Sequence, residues 1–204
     1  MPLAKGRYES PSAADLHGVK ARHVGLAVLV AVLWGAAFVA TKIGLGSFSP
    51  PQLVVLRFLI AAVPAAFLPR PAVSWSVLVW TGLTLFTGQF LFQFFGMASG
   101  VPPGLTSVVV QTQALFTIAF TAVALREKPT VRQLCGVTIA FAGLGLIAVT
   151  LGRDATIAGF ALTLLSAVSW GIGNVFMKRV GRVEMLDLVV WLSLVPPLPA
   201  LALS

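Results

Sequence analysis

Seven stretches of the chain, residues 24–43, 51–69, 75–97, 104–124, 133–151, 157–177 and 187–203, are apolar runs with almost no charge inside them. Each approaches the roughly 20 residues that a helix needs to cross a bilayer, and hydrocarbon admits helices because they satisfy their own backbone hydrogen bonds. Together the runs claim nearly all of the chain, so the expected fold class is an all-α membrane protein with the lipid bilayer as its main partner. Composition agrees: 58% of the residues are hydrophobic and 10% charged, with a mean hydropathy of +0.97. A water-soluble domain does not keep that balance. Prolines and glycines punctuate the runs at Pro50-Pro51, Pro69-Arg70-Pro71, Pro102-Pro103-Gly104, Pro129 and Gly152. The connections are short and leave no room for an inserted soluble domain.

One stretch occurs twice. Ala31-Val32-Leu33-Trp34-Gly35 through Lys42 is matched by Ala167-Val168-Ser169-Trp170-Gly171 through Lys178, with Ala, Val, Trp, Gly, Val and Lys recurring in register. The match continues through Leu53-Val54-Val55 and Leu188-Val189-Val190 to Pro64-Ala65 and Pro199-Ala200. Five spans separate equivalent points of the copies, and an odd number reverses the direction in which the second enters the membrane. The sequence therefore predicts inverted repeats, the architecture of transporters that work by alternating access. The expected domains are a cytoplasmic tail at 1–23, a first repeat of five helices at 24–152, and the start of a second, inverted repeat at 153–204.

The formal net charge of +8 raises the question of nucleic acid, and the positions of the charges answer it. Lys5, Arg7, Lys20 and Arg22 precede the first span, Arg70 follows the second, Arg126, Lys128 and Arg132 follow the fourth, and Lys178, Arg179 and Arg182 follow the sixth. These are alternate loops, and the opposite ones hold only Arg153. Such asymmetry is a topology signal, with the N-terminus and the basic loops cytoplasmic, and no nucleic-acid partner is expected. Residues 1–23 read as a tail diluted by Glu9 and Asp15. The first apolar run is too long for a signal-peptide core and is expected to be retained.

An enzyme is not expected, because no nucleophile elbow or phosphate-cradling glycine loop occurs. Cys135 stands alone, and His17 and His23 lie outside the spans, so no metal or other cofactor is expected. No carboxylate lies mid-span; Glu127, Asp154, Glu184 and Asp187 all fall in loops or at helix ends, which leaves no proton relay.

Trp34-Gly35 to Lys42, Arg57-Phe58, Gly104-Leu105-Thr106-Ser107 and Gln111-Thr112-Gln113-Ala114-Leu115-Phe116 together resemble the EamA-type branch of the drug/metabolite transporter superfamily. Within it, Gln89-Phe90, the Gln-Thr-Gln-Ala stretch and Phe160-Ala161-Leu162-Thr163-Leu164 are similar to the bacterial exporters of cysteine and O-acetylserine. The resemblance implies a fold of ten helices in two inverted repeats of five, in the bacterial inner membrane, enclosing a cavity for a small-molecule substrate. Seven of the ten are present, so a truncated chain is expected, and a homodimer supplying the missing helices is left open. The last two spans would then lack repeat partners, with Asn174 facing lipid. The alternatives are another substrate class of the same superfamily, such as a drug or sugar-nucleotide, or a membrane protein without transport activity.

Polar residues inside the spans are where function should show, since each must find a partner without water. Thr117, Thr121 and Ser107 read as glue between helices. The glutamines are costlier to bury, because an amide brings both donors and acceptors. Gln89 and Gln93, four residues apart on one helix face, are candidates to line the cavity, as are Gln113 and Gln111 in the fourth span. Asn174 occupies the place of Phe38 in the repeat, so the fold does not require an amide there. Arg57, about 10 Å into its helix at 1.5 Å per residue, is a candidate for a substrate carboxylate, against the alternative of snorkelling to the interface. Lys42 and Lys178 read as helix-end anchors. Gly136, Ala140 and Gly143 offer a seat for a neighbouring helix.

Overall fold

The first helix of the computed structural model, α1 (Ala21–Gly44), is apolar on every side, as suits a segment surrounded by lipid. The structure describes residues 21–126, 128–149 and 156–204. The predicted tail to residue 20, Glu127 and the Arg153-Asp154 connection lie outside the described residues. Two units divide the chain, Met1–Ala37 and Phe38–Ser204. In the first, residues 22–36 are all exposed, including Leu26, Leu29, Leu33 and Trp34.

The second unit contains the end of α1 and, among the described residues, six further helices: α2 (Pro50–Ala66), α3 (Trp75–Ala98), α4 (Pro103–Ala124), α5 (Val131–Val149), α6 (Ile157–Met177) and α7 (Met185–Leu201). All seven apolar runs thus become helices. Helices α1, α3, α4 and α6 are long and apolar enough to cross a membrane, while Pro50–Ala66, Val131–Ile147 and Met185–Leu201 are shorter apolar segments. Proline accounts for two of the differences from the expected bounds. Pro64 lacks an N–H and tightens the end of α2 into a 3₁₀ turn over Val63–Ala66, and α7 is interrupted between Leu192 and Pro197 by a run containing Pro196.

Local signals set the ends. Ser49 and Gln52 form a reciprocal capping box ahead of Pro50-Pro51 (Ser49 N to Gln52 Oε1, 2.9 Å), and Thr130 and Gln133 do the same for α5 (Thr130 N to Gln133 Oε1, 2.7 Å). Ser74 caps α3, and Thr156 caps α6. At the far end of α3, Gly100 takes φ 98°, so that Val101 N reaches Gly96 O and Gly100 N reaches Met97 O, both at 3.3 Å. That is a glycine-closed helix end, with Val101 buried beneath it.

Helix α6 packs along α3 and α4, and α7 packs against α2 and α3. The close approach of α6 comes from small residues. A Cβ on Gly173 would stand 2.8 Å from Leu85 Cβ, and one on Gly171 would stand 2.8 Å from Phe116 Cβ. Gly88 faces Ser169, and Gly96 faces Thr163. Close backbone contact supplies the dispersion and hydrogen bonding that hold helices together in lipid. The expectation that Asn174 faces lipid is therefore corrected: α6 is seated between two helices, and Asn174 is half-buried there. The main core joins Val54, Phe58, Leu78, Leu85, Phe86, Phe94, Leu188 and Leu192 across α2, α3 and α7. A smaller one joins Val109, Leu144 and Phe160 across α4, α5 and α6. On α5, by contrast, added Cβ atoms at Gly136 and Gly143 would meet open space, so the expected small-residue seat is unoccupied within the described chain.

Candidate functional site

Two helices that flank α6 are irregular where their amides lie. Helix α3 widens into a π-helical segment over Gly82–Gly88, immediately before Gln89. A π segment displaces the i→i+4 register, and such segments favour functional positions. Helix α4 breaks at Gln111-Thr112. The hydroxyl and the N–H of Thr112 both donate to Val109 O, at 2.7 and 3.1 Å, and Gln111 N donates to Val108 O at 3.1 Å. These tight i→i+3 bonds replace the α-helical ones until Phe116 N returns to Thr112 O at 3.3 Å. Short hydroxyl side chains that bond back to the main chain explain why the break falls on this sequence.

The structure joins one pair of the predicted side chains directly and brings Asn174 to the main chain of Gln113. Gln89 and Gln93 are 3% and 5% exposed, and Gln89 Nε2 donates to Gln93 Oε1 at 2.7 Å. Asn174 Nδ2 donates to Thr117 Oγ1 at 2.9 Å, and Thr117 Oγ1 donates to the main-chain carbonyl of Gln113 at 2.7 Å, so that the Gln113 side chain takes no part in this link. Gln111 is exposed at the helix break. Arg57 stands apart, with its guanidinium carbon 4.6 Å from the ring centroid of Phe90. Phe90 belongs to an aromatic cluster with Phe58, Phe86 and Phe94. Arg57 thus has a cation–π contact on the α2–α3 side.

Three buried side-chain atoms have no hydrogen-bond partner among the described residues: Gln89 Oε1, Gln113 Oε1 and Thr81 Oγ1. An orphan buried acceptor carries a desolvation cost of about 1–3 kcal/mol, which native structures avoid unless something uses the group. Two of the three are amide oxygens on the predicted glutamines. Gln89 Oε1 and Gln113 Oε1 are thus acceptors left open among the described residues.

Several contacts were not legible in the sequence. Ser169 Oγ donates to Thr84 O at 2.7 Å, fastening α6 to the π segment. Lys42 Nζ donates to Met97 O at 3.0 Å, so the lysine read as an anchor caps the C-terminus of α3, where a cation complements the helix dipole. Beside the Asn174–Thr117 bond, a cleft of about 420 Å³ is lined by Thr117, Ile118, Thr121, Lys128, Gln133 and Lys178. The one signal for it was the recurrence of Lys42 as Lys178. A second cleft, of about 490 Å³ and lined mainly by Phe48, Val55, Leu56, Leu59 and Leu201, holds none of the predicted residues.

Comparison with known proteins gives this arrangement a setting. The chain is 44% identical over 186 residues to a Salmonella typhimurium protein named "Probable amino-acid metabolite efflux pump", covering 88% of this chain and 62% of that protein. It is 41% identical over 181 residues to the Escherichia coli protein of the same name, covering 85% of this chain and 60% of that one. A "Probable terminal-alkyne amino-acid exporter" of Streptantibioticus cattleyicolor is 27% identical over 188 residues, with 85% of this chain and 63% of that protein covered. The chain thus spans about three fifths of the length of these relatives. Residues 22–149 match the EamA-like transporter family, from the helix of Trp34-Gly35 through the broken α4 to the end of α5, and the chain belongs to that family.

Proposed function

We propose that the protein exports small amino-acid metabolites across the bacterial inner membrane by alternating access between two inverted repeats. The observation that carries this reading is the pair of buried, unpartnered amide oxygens on Gln89 and Gln113, beside a π segment and a helix break. An acceptor without a donor suits an N–H group of a ligand, and the ammonium of an amino acid offers three. Gln93 orients the Gln89 amide, and the break at Gln111 supplies the irregular backbone that transporters place at substrate sites. Two relatives carry names of amino-acid metabolite efflux pumps, which supports the substrate class; cysteine and O-acetylserine are its proposed members. Arg57 contributes through Phe90 rather than beside the amides.

Expression in bacteria lacking their own cysteine exporters tests the reading. Tolerance of excess L-cysteine or O-acetyl-L-serine should rise with the native chain, and Gln113→Leu should abolish the gain at equal membrane abundance. Unchanged tolerance with the native chain, correctly inserted, overturns the proposal.

A further inference from the structure

We propose that Arg70, stacked on Trp75 at the junction of α2, α3 and α7, binds the phosphate of an anionic phospholipid headgroup. Prolines 69 and 71 flank Arg70 and restrict its backbone. Its side chain is placed as well. The guanidinium carbon lies 4.1 Å from the ring centroid of Trp75, and Arg70 Nη2 donates to Val73 O at 2.8 Å. Trp75 in turn meets Trp191 of α7 edge-on, with 6.3 Å between ring centroids, and Trp191 Nε1 donates to Leu68 O at 3.3 Å. The contacts therefore run from Leu68 through Trp191 and Trp75 to Arg70, and close on the loop that carries the arginine.

Stacking engages the face of a guanidinium, whereas its five N–H donors lie in its plane. One is spent on Val73 O, and the rest of the fork is exposed. Among the described residues no carboxylate forms an ion pair with Arg70, Glu184 and Asp187 of α7 included, and the first turn of α3 contains no acidic residue. A fixed, unpaired fork suits two oxygens of a phosphate, held by parallel hydrogen bonds. The surroundings select a lipid over a soluble anion. Phe67, three residues before Arg70, is 85% exposed, and Trp75 is 55% exposed. Val63 on α2 and Val79, one turn beyond Trp75 on the same face of α3, continue this exposed apolar surface along the helices. Tryptophan and arginine at helix ends lie at headgroup depth, so the fork meets the phosphate while the apolar residues meet the acyl chains. The adjoining end of α6 adds a second cation, with Arg179 5.9 Å from the ring centroid of Phe176 and Phe176 stacked on Trp80. That charge favours a headgroup with net negative charge.

The test is native mass spectrometry of the full chain, delipidated in dodecyl maltoside and titrated with dioleoyl phosphatidylglycerol or dioleoyl phosphatidylcholine. The native chain should prefer phosphatidylglycerol, and Arg70→Gln should weaken its binding about tenfold, the scale of losing charge-assisted hydrogen bonds. Phosphatidylcholine, whose choline already offsets its phosphate, should bind the variant within about twofold of the native chain, and its retention shows that the variant is folded. Arg70→Lys keeps the charge and loses the planar fork, so it should bind phosphatidylglycerol as weakly as Arg70→Gln. Arg132→Gln removes the same charge from α5, which packs on α4, and should change binding by less than about twofold. Four results overturn the proposal. They are a native chain without preference for phosphatidylglycerol, an Arg132→Gln effect equal to that of Arg70→Gln, native affinity in Arg70→Lys, and displacement of phosphatidylglycerol by excess inorganic phosphate, which would make the fork a site for a soluble anion.

Discussion

Asn174 of α6 donates a hydrogen bond of 2.9 Å to Thr117 of α4, joining residues that lie 57 positions apart and come from different copies of the proposed repeat. In the first copy the equivalent position is Phe38, which is buried without an amide. The bond thus belongs to what this site does with the fold, and it ties the helix break to the most closely packed helix of the second unit.

A double-mutant cycle on Asn174→Leu and Thr117→Val will measure that tie. Hydrogen bonds between helices in lipid average about 0.6 kcal/mol and reach about 1.7. A coupling within that range, read from unfolding in mixed micelles, is expected; zero coupling would mean that the two side chains do not act together.

Gln113→Leu separates structure from function. Leucine removes an acceptor that is buried without a partner, so stability should be unchanged or rise by up to about 1 kcal/mol, because the desolvation cost disappears. Export should meanwhile fall at least tenfold per folded molecule. A large loss of stability with normal export would show that Gln113 is structural.

Gly96→Val places a side chain against Thr163 and the Gly159 carbonyl. Overpacking of this kind costs typically 1–3 kcal/mol, and the variant should unfold at correspondingly milder conditions. Gly136→Val, which meets open space on α5, should lie within about 0.5 kcal/mol of the native protein. Equal effects at the two positions would contradict the described packing of α3 on α6.

Lys42→Met keeps an apolar stem and loses the bond to Met97 O. A charge-assisted bond at a helix C-terminus is worth about 1–2 kcal/mol. Hydrogen exchange at the end of α3, around Met97 to Ser99, should accelerate in Lys42→Met.

The basic loops predict an orientation with the N-terminus in the cytoplasm. In a Cys135→Ser background, a cysteine at Ser47 should react with a membrane-impermeant maleimide in intact cells, and one at Gly181 should react only after permeabilisation. The opposite pattern would reverse the proposed topology and the sense of the repeats.

By itself, the sequence determined the class of the fold and the location of the seven described helices, because apolar length and short-range punctuation act locally. A run of apolar residues has no other way to satisfy its backbone in lipid, and Ser49, Ser74, Thr130 and Thr156 cap their helices through neighbours three residues away. The same holds for the costly residues: Gln89, Gln93, Gln113 and Asn174 stood out by the expense of burying an amide. The tertiary structure decided which of them meet. Helix periodicity places Gln89 and Gln93 on one face and says nothing about whether they bond to each other or to a ligand. It also cannot show that α6 passes between α3 and α4 rather than lying in lipid, that Arg57 comes to rest on Phe90, or that Lys128 and Lys178 share a cleft. Those outcomes depend on how closely backbones approach at Gly88, Gly96, Gly171 and Gly173, a sum of contacts between residues distant in the chain, and no local pattern encodes that sum.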